Sequence, residues 1–118
     1  MSKIVEKGWG QEVIFADNEL YCGKLLCFDK AGSKGSMHFH LSKDETWYVQ
    51  QGSFIVNYIH TDTAHPANTT LRQGDTWRNK QGFPHQLEAL EDNSIIFEVS
   101  TQDFPSDNYR ITKGDSQK

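Results

Sequence analysis

Three histidines and one glutamate have the residue types and spacing of a metal site. His38 and His40 form a His-x-His pair in a segment, residues 36–41, that we predict to be a strand. Because side chains alternate along a strand, both imidazoles point to the same side, about 6.5–7 Å apart at the backbone. Glu45 follows after a turn, and His85 follows a Gly-Phe-Pro corner. Imidazole and carboxylate groups suit a divalent transition ion, whereas calcium and magnesium prefer oxygen ligands. The alternative is that these are scattered histidines of an ordinary β protein.

Four further residues are candidates for binding or catalysis. Trp47 lies two residues after Glu45 and shares its strand face, so it either lines a pocket or fills the core. Glu98 lies in an apolar strand, where it is either solvent-exposed or a buried acid with the raised pKa of a general base. Arg78 and Lys80 flank a later turn and either bind an anionic substrate or carry solvated charge.

Short runs of β-branched and aromatic residues, separated by Gly, Asn, Asp and Pro, indicate the elements that must position these side chains. No segment has a convincing helical period. The pattern predicts an all-β antiparallel sandwich or barrel. We expect residues 61–70 to be a polar loop and residues 112–118 to be a flexible tail after a single domain of residues 1–111. The predicted strands are residues 11–16, 21–29, 36–41, 45–51, 54–60, 76–78, 86–89 and 94–100.

Length and charge exclude several classes of protein. The 118 residues suffice for one ordinary domain and are too few for two. The longest apolar runs have four residues, whereas a membrane span needs about 20. The first residues lack the apolar core of a signal peptide, so we expect a cytoplasmic protein without a membrane partner. A net charge of -4 without a basic patch argues against a nucleic-acid partner.

The spacing around the candidate ligands resembles the two sequence motifs of the cupins. The first motif is matched by Gly32, five residues, the His-x-His pair, four residues, Glu45, six residues and Gly52. The second motif is matched by Gly74, five residues, Lys80-Gln81-Gly82, two residues and His85. Lys80 and Ala89 replace the proline and asparagine of that motif, and neither position is a ligand.

The cupin resemblance implies a fold, a cofactor and an assembly. The fold would be a double-stranded β-helix, which is a small jelly-roll barrel. Its mouth would hold one divalent transition metal ion (Zn, Mn, Fe, Ni or Co) on His38, His40, Glu45 and His85. Cupins of this size usually pair through their N-terminal strands, and Trp9 offers an aromatic anchor there. We therefore expect a homodimer.

A narrower resemblance points to sugar chemistry. The segments Lys7-Gly8-Trp9-Gly10, Glu45-Thr46-Trp47-Tyr48-Val49 and Ile96-Phe97-Glu98-Val99-Ser100 are similar to segments of the cupin domain in bacterial mannose-6-phosphate isomerase/mannose-1-phosphate guanylyltransferase proteins. The resemblance implies a small polar metabolite as partner: a sugar or sugar phosphate that the protein binds and isomerises. Two alternatives stay open, a non-haem iron dioxygenase and a non-catalytic metabolite-binding module.

Overall fold

The computed structural model describes residues 2–118, and within them nearly all regular structure is β-strand. Every strand pair is antiparallel. The elements, in chain order, are β1 (Lys3–Lys7), β2 (Gly10–Asp17), β3 (Cys22–Phe28), β4 (Met37–Phe39), β5 (Glu45–Gln51), β6 (Ser53–Ile59), β7 (Pro66–Arg72), β8 (Thr76–Asn79), β9 (His85–Ala89), β10 (Ser94–Ser100), β11 (Tyr109–Thr112) and a 3-10 helix (Asp115–Gln117).

Two antiparallel sheets face each other and form the predicted jelly roll. One sheet has the strand order β1-β2-β3-β10-β5-β8, and the other has the order β11-β4-β9-β6-β7. Burial alternates along β5, β9 and β10, because one face of each strand points between the sheets and the other points outward. The apolar core between the sheets consists of Trp9, Leu26, Phe28, Trp47, Val49, Phe54, Val56, Leu71, Leu87, Ala89 and Ile96.

Most predicted strands are present, and three segments differ from the sequence analysis. Residues 45–51 and 94–100 are strands with the predicted bounds. The predicted loop at residues 61–70 is wrong in its second half, because β7 pairs with β6 along its whole length. The strands β1 and β11 were not predicted; each lies at the edge of a sheet, where a short strand needs few buried side chains.

The C-terminal segment, expected to be a flexible tail, makes several hydrogen bonds with the rest of the chain. Residue 112 ends β11, and the backbone of Asp115 and Lys34 is joined by a 2.9 Å hydrogen bond. Ser116 Oγ accepts a 3.0 Å hydrogen bond from the amide of Gly8. A Cβ atom at Gly8 would collide with the backbone of Asp115, so the two segments pack backbone to backbone. The domain boundary at residue 111 stays a prediction, which a truncation described below tests.

The one helix of the described chain is a three-residue 3-10 turn, and nothing in residues 2–118 has the length and hydropathy of a membrane-spanning helix.

Candidate metal centre

Two neighbouring strands and one turn bring the three candidate histidines together. His38 lies in β4 directly opposite His85, the first residue of β9, so both rings project from the same face of the sheet. His40 follows β4 by one residue. The ring centroids are 4.6 Å apart for His38 and His85, 4.9 Å for His38 and His40, and 5.5 Å for His40 and His85. One nitrogen from each ring lies within 4.8 Å of the others, which is close enough to share one ion.

Backbone carbonyl groups fix which nitrogen of each ring carries the proton. The Nδ1 atoms of His38, His40 and His85 lie 2.9, 2.6 and 2.8 Å from the carbonyl oxygens of Ser36, Asp107 and Phe83, respectively. Because a carbonyl oxygen only accepts, each Nδ1 must donate its N–H. A neutral ring then has its lone pair on Nε2, which is the arrangement that oriented metal-ligating histidines show.

Glu45 supplies a carboxylate next to these lone pairs. Its Oε1 lies 2.9 Å from His85 Nε2, and both groups are almost completely buried. His85 Nε2 nevertheless has no hydrogen-bond partner within residues 2–118, because the contact lacks hydrogen-bonding geometry. The three histidine nitrogens are placed to share a divalent transition metal ion, and Glu45 Oε1 lies next to one of them. Glu45 as a fourth ligand stays a prediction.

Burial favours the neutral form of His38 and His40. Burial, followed by the neighbouring rings of His85 and His40, lowers the pKa of His38 to about 3. Burial also lowers the pKa of His40. A neutral imidazole is the form that binds metal, so these two ligands need not lose a proton near neutral pH.

Asp107, which the sequence analysis missed, holds the turn between His40 and Glu45. Its carboxylate accepts hydrogen bonds from the amides of Leu41 (2.7 Å), Ser42 (3.1 Å) and Lys43 (3.1 Å). Its carbonyl oxygen is the partner of His40 Nδ1. One residue thus fixes both a histidine ring and the turn that leads to the glutamate. Asp107 is 64 to 66 residues away from these amides in the chain, so no local pattern indicates the contact.

A buried charge network lies beside the site, and sequence analysis missed its central residue, Lys43. The Lys43 ammonium lies 3.0 Å from Glu98 Oε2, 3.4 Å from Glu45 Oε2 and 3.3 Å from Asp103 Oδ1. Lys24 joins the network through a 3.2 Å contact with Asp103. Lys43 sits in a polar turn sequence that looks solvent-exposed, yet it is only 4% exposed.

Glu98 and Trp47 line the same cavity as the histidines. Glu98 is 3% exposed, so the buried alternative applies. The Trp47 indole N–H donates to Glu98 Oε1 at 3.1 Å, while Glu98 Oε2 has no hydrogen-bond partner of good geometry in the described part of the chain. Burial, followed by the charge of Glu45, raises the pKa of Glu98 to about 7. Trp47 belongs both to the core and to the cavity wall.

The structure does not bring Arg78 and Lys80 to this cavity. The Arg78 guanidinium makes two hydrogen bonds to Asp44, of 2.6 and 3.0 Å, on the outside of the protein. Lys80 is exposed in the turn after β8 and is not among the lining residues. The anion-binding role expected for this pair stays a prediction. Lys3, Lys7 and Arg110 instead place positive charge in the cavity wall.

The cavity has a volume of about 440 Å³ and lies between the sheets, with the histidines and Glu45 in its wall. That volume accommodates a small metabolite. Trp9 also lines it and stacks on Phe28 with ring centroids 4.2 Å apart, so this tryptophan is a core residue and cannot be the dimer anchor expected above.

Comparison with known structures shows the same fold in several proteins. KdgF from Halomonas sp. is 25% identical, with a TM-score of 0.70 over 81% of this chain and 81% of that chain. The capsular polysaccharide assembling protein CapF from Staphylococcus aureus is 17% identical, with a TM-score of 0.81 over 95% of this chain. Oxalate decarboxylase from Bacillus subtilis is 20% identical, with a TM-score of 0.80 over 93% of this chain.

The chain spans 33% of the CapF chain and 30% of the oxalate decarboxylase chain, so it corresponds to one part of those larger proteins. No curated protein sequence matches it. The narrower resemblance to the mannose-6-phosphate isomerase proteins stays a prediction. A family model described as Cupin matches residues 24–115, which is well over half of the chain and includes all four candidate ligands, and the chain therefore belongs to the cupin family.

Proposed function

We propose that this cupin binds one divalent transition metal ion and, beside it, a small polar metabolite. One observation carries the proposal: three buried imidazoles with Nδ1 tied to backbone carbonyls present free Nε2 atoms beside the Glu45 carboxylate. This donor set suits zinc, manganese, iron, nickel or cobalt. The ligands are His38, His40, Glu45 and His85.

The cavity favours a hydroxyl-bearing, anionic metabolite such as a sugar phosphate. Near the site, Glu98 Oε2, which lies 3.0 Å from the Lys43 ammonium, can also accept a hydrogen bond from a substrate hydroxyl group. Lys3 and Arg110 line the cavity, and neither makes an ion pair within residues 2–118. The Lys3 ammonium and the Arg110 guanidinium are therefore free to bind a phosphate or carboxylate group. We expect these two residues to take the role that the sequence analysis gave to Arg78 and Lys80.

The expected reaction is isomerisation of a sugar or sugar phosphate. A bound divalent metal ion supplies Lewis acidity that polarises a substrate oxygen. Glu98 is the candidate base, because it lines the cavity beside the histidines while Trp47 fixes its Oε1 atom. It would take a proton from the carbon next to the substrate carbonyl and return it to the former carbonyl carbon, while the hydroxyl proton of the first carbon moves to the former carbonyl oxygen.

An activity panel separates this proposal from its alternatives. Aldose and ketose phosphates are tested for interconversion with each metal, using the wild type, Glu98→Gln and a control, Glu88→Gln, on β9 outside the cavity lining. We expect turnover in the wild type and the control and its loss in Glu98→Gln. Oxygen uptake by the iron form without sugar turnover would instead support a dioxygenase. Metal-dependent stabilisation by sugars without turnover would support a binding module.

We also propose a homodimer, formed through the outer face of the larger sheet. On neighbouring strands of that face, Phe15, Tyr48, Phe97 and Val99 are 36 to 51% exposed. Phe15 and Phe97 contact each other with ring centroids 5.3 Å apart. A two-fold axis would pair this apolar patch with itself and remove it from water. Light scattering should give a dimer mass for the wild type and a monomer mass for Phe97→Glu; a monomeric wild type would refute the proposal.

A further inference from the structure

Asn79 connects the proposed metal site to an aromatic cluster. It is the last residue of β8 and lies directly opposite Glu45 in the β5–β8 pair, so the two side chains are neighbours. Asn79 Nδ2 donates to Glu45 Oε1 at 3.2 Å, and Trp77 Nε1 donates to Asn79 Oδ1 at 2.8 Å. Asn79 is only 1% exposed, so water does not replace either partner.

The tryptophan determines which way the amide faces. An indole N–H only donates, so the oxygen of the Asn79 amide must face Trp77 and its NH₂ group must face Glu45. Trp77 is itself held in place by Tyr58 and Phe83, whose ring centroids lie 5.2 and 6.4 Å from it. The amide therefore cannot turn over without losing a buried hydrogen bond at both ends.

The Asn79 amide binds Oε1 of Glu45, the carboxylate oxygen that lies next to the candidate ligand His85. Glu45 Oε1 is the oxygen that lies 2.9 Å from His85 Nε2, while Oε2 faces the Lys43 ammonium at 3.4 Å. A hydrogen bond from Asn79 uses one lone pair of Oε1 and leaves the other free. We propose that Asn79, oriented by Trp77, is a positioning residue that holds Glu45 in its ligating orientation. This inference rests on the proposed metal site.

A cobalt titration of the whole protein tests the inference. Cobalt(II) affinity and the visible absorption spectrum at saturation are measured for the wild type, Asn79→Asp and Trp77→Phe. Asn79→Asp keeps the size of the side chain and its bond from Trp77, but it places an oxygen where the NH₂ group faced Glu45. We expect its cobalt affinity to fall about 10- to 100-fold, with a shifted spectrum, as is typical when a residue that orients a ligand is changed. Trp77→Phe should weaken affinity less, because it only frees the amide to turn.

Two controls separate this inference from the metal site itself. Asn57→Asp is the matched control, because Asn57 Nδ2 makes a bond of the same length, 3.2 Å, to Gln86, which is not a ligand. It should bind cobalt as the wild type does. Wild-type affinity and spectrum in Asn79→Asp, or an equal loss in Asn57→Asp, would overturn the positioning role while leaving the metal site intact. A wild type that binds no cobalt would overturn the metal site and the inference with it.

Discussion

Replacing Asp107 by alanine should destabilise the protein more than the same replacement of a surface aspartate that accepts a hydrogen bond from one amide. The Asp107 carboxylate is 8% exposed and accepts hydrogen bonds from three consecutive amides, those of Leu41, Ser42 and Lys43. Lys43 is buried, so loss of its partner costs about 1–3 kcal/mol. The residues of the other two amides are exposed and can regain water, so each loss costs about 0.5–1 kcal/mol. The expected total is about 2–5 kcal/mol.

Urea denaturation of the metal-free protein measures this cost without any contribution from a bound ion. The control is Asp92→Ala, because the Asp92 carboxylate accepts one amide bond, from Ala31 at 2.9 Å, in an exposed loop. It should lose about 0.5–1 kcal/mol. Asp107→Ala should also weaken metal binding, since the turn that it loosens leads to Glu45. Equal free energies of unfolding for the two variants would refute the reasoning.

Three further predictions concern stability. Gly52→Ala should lower the free energy of unfolding more than Gly32→Ala. Both residues have positive φ (76° and 88°), but only a Cβ atom at Gly52 would collide with other atoms. Equal losses in equilibrium unfolding would contradict this. Burial would raise the pKa of Asp103, but the two buried lysines outweigh it and hold that pKa below 3.8. Asp103 therefore stabilises the protein above about pH 4, and this stabilisation is lost as the pH falls through the folded-state pKa of Asp103. Asp103→Asn should flatten the acid side of a plot of unfolding free energy against pH. A plot identical to that of the wild type would contradict this. Deleting residues 112–118 should cost about 1–2 kcal/mol, since the lost contacts include a few exposed hydrogen bonds. An unchanged melting temperature would favour the flexible tail.

The strands that the sequence predicted well are those in which local pattern and burial agree. Along β6, Phe54 and Val56 alternate with outward residues, and both are fully buried. Along β7, only Leu71 is buried and the rest is polar and begins with proline, so the segment resembles a loop. Its strand conformation comes from pairing with β6, which a local pattern does not contain.

In the candidate site, too, local sequence patterns predict some features, and contacts between distant segments determine the others. The spacing of His38, His40 and Glu45 reflects strand alternation and one turn, so it can be read from the sequence, whereas His85 is indicated by the resemblance to the second cupin motif. The groups that orient them cannot be read in this way, because Asp107, Asn79 and Lys43 are ordinary polar residues until distant strands meet. Arg78 shows how sequence proximity and position in the fold can differ: it is close to His85 in sequence, yet its guanidinium binds Asp44 outside the cavity.

The metal content of the purified protein tests the central claim most directly. Elemental analysis is made on the wild type and on the double variant His40→Ala/His85→Ala, after both have been equilibrated with the same mixture of divalent transition ions and passed through a desalting column. Circular dichroism confirms that the variant retains its β structure. The account predicts one ion per wild-type chain and almost none in the variant. Equal metal content in the two folded proteins would contradict it.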